Sequence, residues 1–187
     1  LFRFHYDGTD HDPYLHQNPR EVYRPVSIFR TTQTHILQVR PELPQAIGRV
    51  NYVALGMADL GVFLPLYQGV RSYPKAYTKG TNHSSHDSAY WKFRKVQALG
   101  MVNYNRYAPL IKETYAAFEA EADQRQREME EQYLAIYKTQ PLRAQDLLQA
   151  FSDQLLRSAL DVTDKLIETL FTRLTEDIQA EYEFHGA

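Results

Sequence analysis

Cysteine is absent from all 187 residues. That removes disulfides, thiolate metal sites and any internal thiol nucleophile. Charge of one sign is also missing: the net charge is −2, with 21 basic and 23 acidic side chains. Such a balance offers no field for nucleic acid or an anionic membrane surface, and neither is expected as a partner. No run of about 18 apolar residues occurs, so no membrane span is expected. No basic stretch leads into an apolar core, so no secretory leader is expected within these residues. A disulfide-free chain of this kind fits the cytoplasm. Several catalytic signatures are lacking as well. There is no Gly-rich phosphate loop, no Gly-x-Ser-x-Gly elbow and no His-Glu-x-x-His pair. Nucleotide, serine-hydrolase and zincin chemistry therefore have no support.

What is present begins with a donor-rich, β-branched segment, Tyr23-Arg-Pro-Val-Ser-Ile-Phe-Arg-Thr-Thr-Gln-Thr-His-Ile-Leu-Gln-Val-Arg-Pro41. Guanidinium and hydroxyl groups set among strand formers suit a sheet edge or strand end facing a carbonyl or carboxylate. Arg30 is the first candidate, able to bind a carboxylate or support a thiolate through its planar fork. Arg24 is the second; the structural reading of Arg30 is an ion pair on the sheet, and that of Arg24 a cap on an edge strand beside Pro25. Thr31 and Thr32 are candidate substrate donors and also simply good strand residues. His35 alternates with Leu37 and Val39, which fits a site histidine or a satisfied strand residue. The upstream loop, Asp7-Gly-Thr-Asp-His-Asp-Pro13 and onward, has no apolar period, and loops of this kind often carry binding residues. Its Asp7, Asp10 and Asp12 are candidates for holding an amine. His5, His11 and His16, and the pair His83 and His86 beside Asp87, lack the spacing of a tight zinc site, so no metal is expected.

The chain divides by period. Seven of the nine prolines lie in residues 1–80, a density that breaks long helices. Strands are predicted near 26–30, 34–40, 50–55 and 62–67, with a loop at 40–48. Pro65 points to an edge position or strand end for the last run. A polar loop spans 75–87. Residues 81–187 are predicted helical. Asp87 or Ser85 is placed to cap a helix starting at Ser88, and Tyr90, Phe93, Arg94, Gln97, Met101 and Tyr104 follow at helical spacing. Pro109 suits the first turn of a second helix, whose stripe runs through Ile111, Tyr115, Phe118, Ala122, Met129, Tyr133 and Ile136. Pro141 opens a third, with Leu148, Phe151, Leu155, Val162, Leu166, Leu170, Phe171, Leu174, Ile178 and Tyr182 as its stripe. A short break between two such stripes predicts an antiparallel hairpin with arms of roughly 45–60 Å. Arms of that length must lie across a larger body, protrude or meet a partner chain, and a homo-oligomer is one expectation. The run 119–131, with six acids and two arginines, reads as a solvated helix face.

The segment from Arg24 to Val39 resembles the C69 dipeptidases. These are cysteine peptidases of the N-terminal nucleophile hydrolase superfamily. Tyr23-Arg-Pro-Val-Ser-Ile-Phe-Arg-Thr31 is similar to the family's R-P-I-S-x-F-R-T pattern, and His35-Ile-Leu-Gln-Val39 to its H-I-L-Q-V continuation. Gly48-Arg-Val-Asn-Tyr-Val-Ala-Leu-Gly56 and Val62-Phe-Leu-Pro-Leu-Tyr-Gln-Gly69 continue the likeness. Ser88-Ala-Tyr-Trp-Lys-Phe-Arg94 and Asn103-Tyr-Asn-Arg-Tyr-Ala-Pro109 extend it to beyond residue 130 in one order. The resemblance implies an α/β (α+β) fold, the C-terminal part of an αββα sandwich with a long helical hairpin at its end. It also implies an N-terminal cysteine whose α-amine acts as base, a dipeptide substrate and no redox or organic cofactor. With no cysteine here, the nucleophile would lie in an upstream part of the same polypeptide, and this portion alone would be inactive. The opening Leu1-Phe-Arg-Phe-His-Tyr6 reads as an element under way, as in a processed, clipped or truncated piece. The alternative function is a non-catalytic interaction module that uses the hairpin for assembly.

Overall fold

The computed structural model describes residues 27–181. Three strands, β1 (Gln33–Val39), β2 (Arg49–Leu55) and β3 (Leu64–Tyr67), form an antiparallel sheet in the order β1-β2-β3. His35 stands opposite Val53 in the first pairing, and Tyr52 opposite Pro65 in the second. A single helical turn, α1 (Gln45–Gly48), links β1 to β2, and a 3-10 turn at Ala58–Leu60 links β2 to β3. Pro65 lies in the outer strand, where a missing N–H breaks no ladder. A second 3-10 turn, Lys75–Thr78, precedes three helices: α2 (Ala89–Val102), α3 (Tyr104–Ile136) and α4 (Pro141–Glu181). The fold is mixed α/β and mostly helical.

Alternation along β2 turns Val50, Tyr52 and Ala54 toward the helices, with Val50 and Ala54 fully buried. Tyr67 of β3 meets Phe151 of α4 edge-on, with centroids 6.3 Å apart. Helices α3 and α4 run antiparallel, since Tyr115 near the start of α3 meets Thr163 of α4 at 3.2 Å. Four residues turn the chain, closed by Gln140 N–H donating to the Ile136 carbonyl at 2.8 Å. Pro141 then opens α4, where its missing N–H would be unpaired in any case. At the helical rise the arms extend about 50 and 60 Å. One buried cluster joins Val50 and Tyr67 of the sheet to Phe93, Ile111 and Leu148 of the helices.

Five expectations need correction. No strand covers 27–30: the Ile28 carbonyl accepts from Thr31 N–H at 3.0 Å, closing a turn. Strand-forming composition yields there because Ser27 and Phe29 are held by other elements. The loop 40–48 contains the α1 turn. Helix α3 starts at Tyr104, not at Pro109. Asn103 caps it, its side chain accepting from Arg106 N–H at 3.2 Å, so Pro109 sits in the second turn at the cost of one helical hydrogen bond. Neither Asp87 nor Ser85 caps α2. The N-cap is Ser88, whose hydroxyl donates to the Lys79 carbonyl at 2.8 Å instead. The α4 stripe also differs beyond Leu170. Phe171 and Ile178 are exposed, because Leu166 and Leu170 take the face toward α3, and Phe171 lies one residue, about 100°, further round. Tyr182 lies outside the described residues.

Candidate functional site

Arg30, Thr31 and Thr32 occupy the turn that feeds β1. Ser27, at its start, is buried, and its hydroxyl accepts from Asp59 N–H at 2.8 Å. The Phe29 ring lies under the Arg94 guanidinium, 3.7 Å from the centroid, a geometry that favours cation–π attraction. The Thr32 carbonyl accepts from Gly56 N–H at 2.7 Å. Ser27, Phe29 and Thr32 therefore pin the turn, and Arg30, between Phe29 and Thr32, is left exposed. His35 is exposed on β1, on the face shared with Leu37 and Val39. The structure thus keeps Arg30, Thr31 and Thr32 at one strand end, with His35 three residues further along β1. Arg24 and Asp7 lie outside the described residues, as do His5, His11 and His16. His83, His86 and Asp87 are exposed, and no group of metal-binding side chains forms among the described residues. No helix among them is long and apolar enough to cross a membrane.

Gly56, with φ of 81°, makes the turn behind Thr32. The amide of Gln97 from α2 fills the space beside it. Gln97 Oε1 accepts from Met57 N–H at 3.0 Å and its Nε2 donates to the Leu55 carbonyl at 2.9 Å. A buried glutamine so used satisfies backbone groups that a tight turn would otherwise leave unpaired.

Two polar networks fasten the sheet to the helices. In the first, Arg40 meets Glu130 of α3 in a bidentate pair and also donates to the Ile47 carbonyl at 2.6 Å. Tyr67 donates to the same carboxylate, and Gln126 donates to the Tyr52 hydroxyl at 3.0 Å. Burial would raise the Glu130 carboxyl, but hydrogen bonds from Arg40 and Tyr67 outweigh it and hold it below the usual range. In the second, Asp59 is fully buried, accepts from the Tyr104 hydroxyl and faces the Lys112 ammonium at 2.9 Å. Glu119 and Glu130 belong to the run expected to be a solvated face. Glu121, Asp123, Glu128 and Glu131 are exposed as expected, whereas Glu119 accepts from Phe63 N–H at 2.8 Å and Glu130 is half-buried.

The sheet face away from the helices is open. Asn51, Val53 and Leu66 line it beside a cleft of about 310 Å³ whose wall is completed by Tyr73 and Tyr77. The Asn51 side-chain oxygen is buried there and accepts no hydrogen bond among the described residues. None of these networks had a sequence signal beyond the residue types, because each joins positions at least 40 apart.

The sheet thus carries helices on one face and leaves the other, around Asn51, Val53 and Leu66, open. Residues 1–117 match the model of Peptidase family C69, and the chain belongs to that family. A "Probable dipeptidase" of Salmonella dublin is 60% identical over 78 residues, 42% of this chain and 18% of that protein. "Probable dipeptidase A" of Streptococcus pyogenes serotype M18 is 33% identical over 106 residues, 55% of this chain and 22% of the relative. "Dipeptidase A" of Lactobacillus helveticus is 33% identical over 109 residues, 57% of this chain and 23% of its own length. The chain thus spans about a fifth of the length of these relatives.

Proposed function

We propose that these residues are the C-terminal part of a cytoplasmic dipeptidase. Its nucleophile is a mature N-terminal cysteine carried by sequence upstream of them. The observation that carries the reading is the C69 match over residues 1–117, together with relatives bearing the name dipeptidase. The layering supports an αββα architecture: α3 and α4 cover one face of the sheet, and a second sheet supplied by the upstream polypeptide covers the face around Asn51. A thiolate needs a nearby base, and an α-amine with a pKa near about 8 serves at neutral pH. No redox or organic cofactor enters such acyl transfer.

A dipeptide carries two charged termini. Arg30, exposed at the strand end, takes the carboxylate or supports the thiolate, with Arg24 sharing that role. Thr31, Thr32 and His35 donate to the substrate, and Asp7 meets its amine. The polypeptide with its upstream sequence should cleave dipeptides and lose that activity to a thiol-alkylating agent. Residues 1–187 alone should be inert until mixed with the upstream piece. A full-length protein inactive on every dipeptide tried would sink the reading and leave the hairpin as an assembly module. Arg30→Ala should lower kcat/KM by about 100-fold without loss of stability. Unchanged kinetics would remove Arg30 from the site.

A further inference from the structure

Asp59 carries a charge into the core. Its side chain is fully buried between the sheet and α3. The Tyr104 hydroxyl, at the start of α3, donates to one carboxylate oxygen. The Lys112 ammonium, two turns further on, faces the other at 2.9 Å and donates to the Tyr104 hydroxyl at 2.7 Å. The three groups close a triangle, so the carboxylate cannot turn without breaking a contact. Well-packed apolar residues in place of such an ion pair often hold a fold as well or better, so stability alone gives no reason for the charge. What the triangle does supply is a fixed position for the Asp59 backbone.

That backbone is where the Arg30 turn is held. Asp59 N–H donates to the Ser27 hydroxyl at 2.8 Å. Earlier on the same β2–β3 link, Gly56 N–H donates to the Thr32 carbonyl at 2.7 Å. The link thus grips the turn at both ends, with Arg30 between the grips. The turn itself is closed by Thr31 N–H donating to the Ile28 carbonyl at 3.0 Å. Gln97 of α2 fixes the Leu55–Met57 end of the link. The other end is the 3-10 turn Ala58–Leu60, closed by Gly61 N–H donating to the Ala58 carbonyl at 3.2 Å. One such closure does not set the angle of a three-residue turn to the sheet, and the triangle on Asp59 does.

We propose that Asp59 is a positioning residue for the dipeptidase site: held by Tyr104 and Lys112, it fixes Ser27 and, through the turn, the place of Arg30. The proposal rests on the reading of Arg30 as a group that meets substrate or thiolate. Two measurements test it. In the 187-residue chain, Asp59→Asn should speed exchange of the Thr31 amide. The factor should be at least about tenfold larger than any change at the Leu155 and Leu156 amides of α4, which report global opening. In the polypeptide with its upstream sequence, kinetics are read on the dipeptide that the unaltered enzyme cuts fastest. There Asp59→Asn should lower kcat/KM by about tenfold when Arg30 is present, and by less than about twofold in Arg30→Ala. A merely structural role predicts the same loss in both backgrounds. Where Asp59→Asn fails to fold, Tyr104→Phe, which keeps the Lys112 pair, carries the same two readouts. An unmoved Thr31 amide would overturn the proposal, and so would no kinetic loss, or equal losses with and without Arg30. An unaltered full-length protein inert toward every dipeptide tried sinks the reading of the site instead, and the Thr31 amide still decides whether Asp59 fixes the turn.

Discussion

Arg40 closes the sheet onto the helical hairpin through Glu130. Its Nη1 and Nη2 lie 2.7 and 2.6 Å from the two carboxylate oxygens, across 90 residues of sequence. The pair is mostly withdrawn from water, with side-chain exposures of 22% and 12%. Such a bidentate contact fixes an angle as well as a distance. It sets how the sheet, and so the turn bearing Arg30, sits against α3.

Removing one partner should therefore hurt more than removing both. Glu130→Ala leaves the Arg40 guanidinium and the Tyr67 hydroxyl without their acceptor, and should cost about 2–3 kcal/mol, less than the roughly 3–5 kcal/mol of a broken fully buried pair because water still reaches it. Arg40→Met with Glu130→Leu should cost less than the single change. Urea unfolding of the three variants checks this, and a loss under about 0.5 kcal/mol in Glu130→Ala would show the pair to be incidental.

The same carboxylate shapes the acid limb of stability. Its folded pKa is depressed: burial pushes up, and the hydrogen bonds from Arg40 and Tyr67 more than reverse it. The contribution is present above the ordinary glutamate value. It is lost as pH falls through the depressed folded value. Stability of the unaltered protein should drop across that window more steeply than stability of Glu130→Gln. Parallel curves measured from pH 5 to pH 2 would assign the acid sensitivity elsewhere.

Buried tyrosines should govern the alkaline limb. Burial raises the Tyr67, Tyr77 and Tyr115 hydroxyls, and pushes Tyr107, which donates to Asp177, up to about 12. Raised folded values mean a contribution that is complete below the unfolded tyrosine pKa, near about 10, and lost as pH rises through the folded ones. Ultraviolet titration should show these tyrosines ionising only together with loss of helix by circular dichroism. Their ionisation with no structural transition by pH 12 would contradict these placements.

Period and punctuation were enough for the helices and for three strands. Pro141 marked the start of α4, the 3.6-residue stripe of α3 matched its buried face, and a run of strand-forming residues between prolines located β2. The failures share a cause. The segment 27–30 has strand composition, yet Ser27 is bound to Asp59 and Phe29 to Arg94, contacts 32 and 65 positions away in sequence. Glu130 looked like one more charge on a solvated face until Arg40 arrived from the sheet. Helical spacing shows which side chains share a face, but a residue one step off the stripe, such as Phe171, is separated from it only by the register of the partner helix. For the candidate site, the motif around Arg30 was visible because its residues are contiguous. Gln97 was not, since its role depends on a backbone turn from another element.

That turn yields the last expectation. Gly56 holds φ of 81°, and a Cβ added to it would collide with the Gln97 amide. Gly56→Ala meets both a left-handed backbone cost of about 1–2 kcal/mol and the displacement of Gln97 from the Met57 N–H and Leu55 carbonyl. The sum should reach about 3 kcal/mol. Gln97→Ala alone should cost about 2 kcal/mol through the two unpaired backbone groups. In the double variant the collision is gone and the hydrogen bonds can be lost only once, so its cost should fall clearly below the sum of the singles. Because Gly56 N–H also holds the Thr32 carbonyl, Gly56→Ala should loosen the Arg30 turn, speeding exchange of the Thr31 amide, whereas Gln97→Ala should do so less. Strict additivity in a double-mutant cycle would mean that Gly56 and Gln97 act apart.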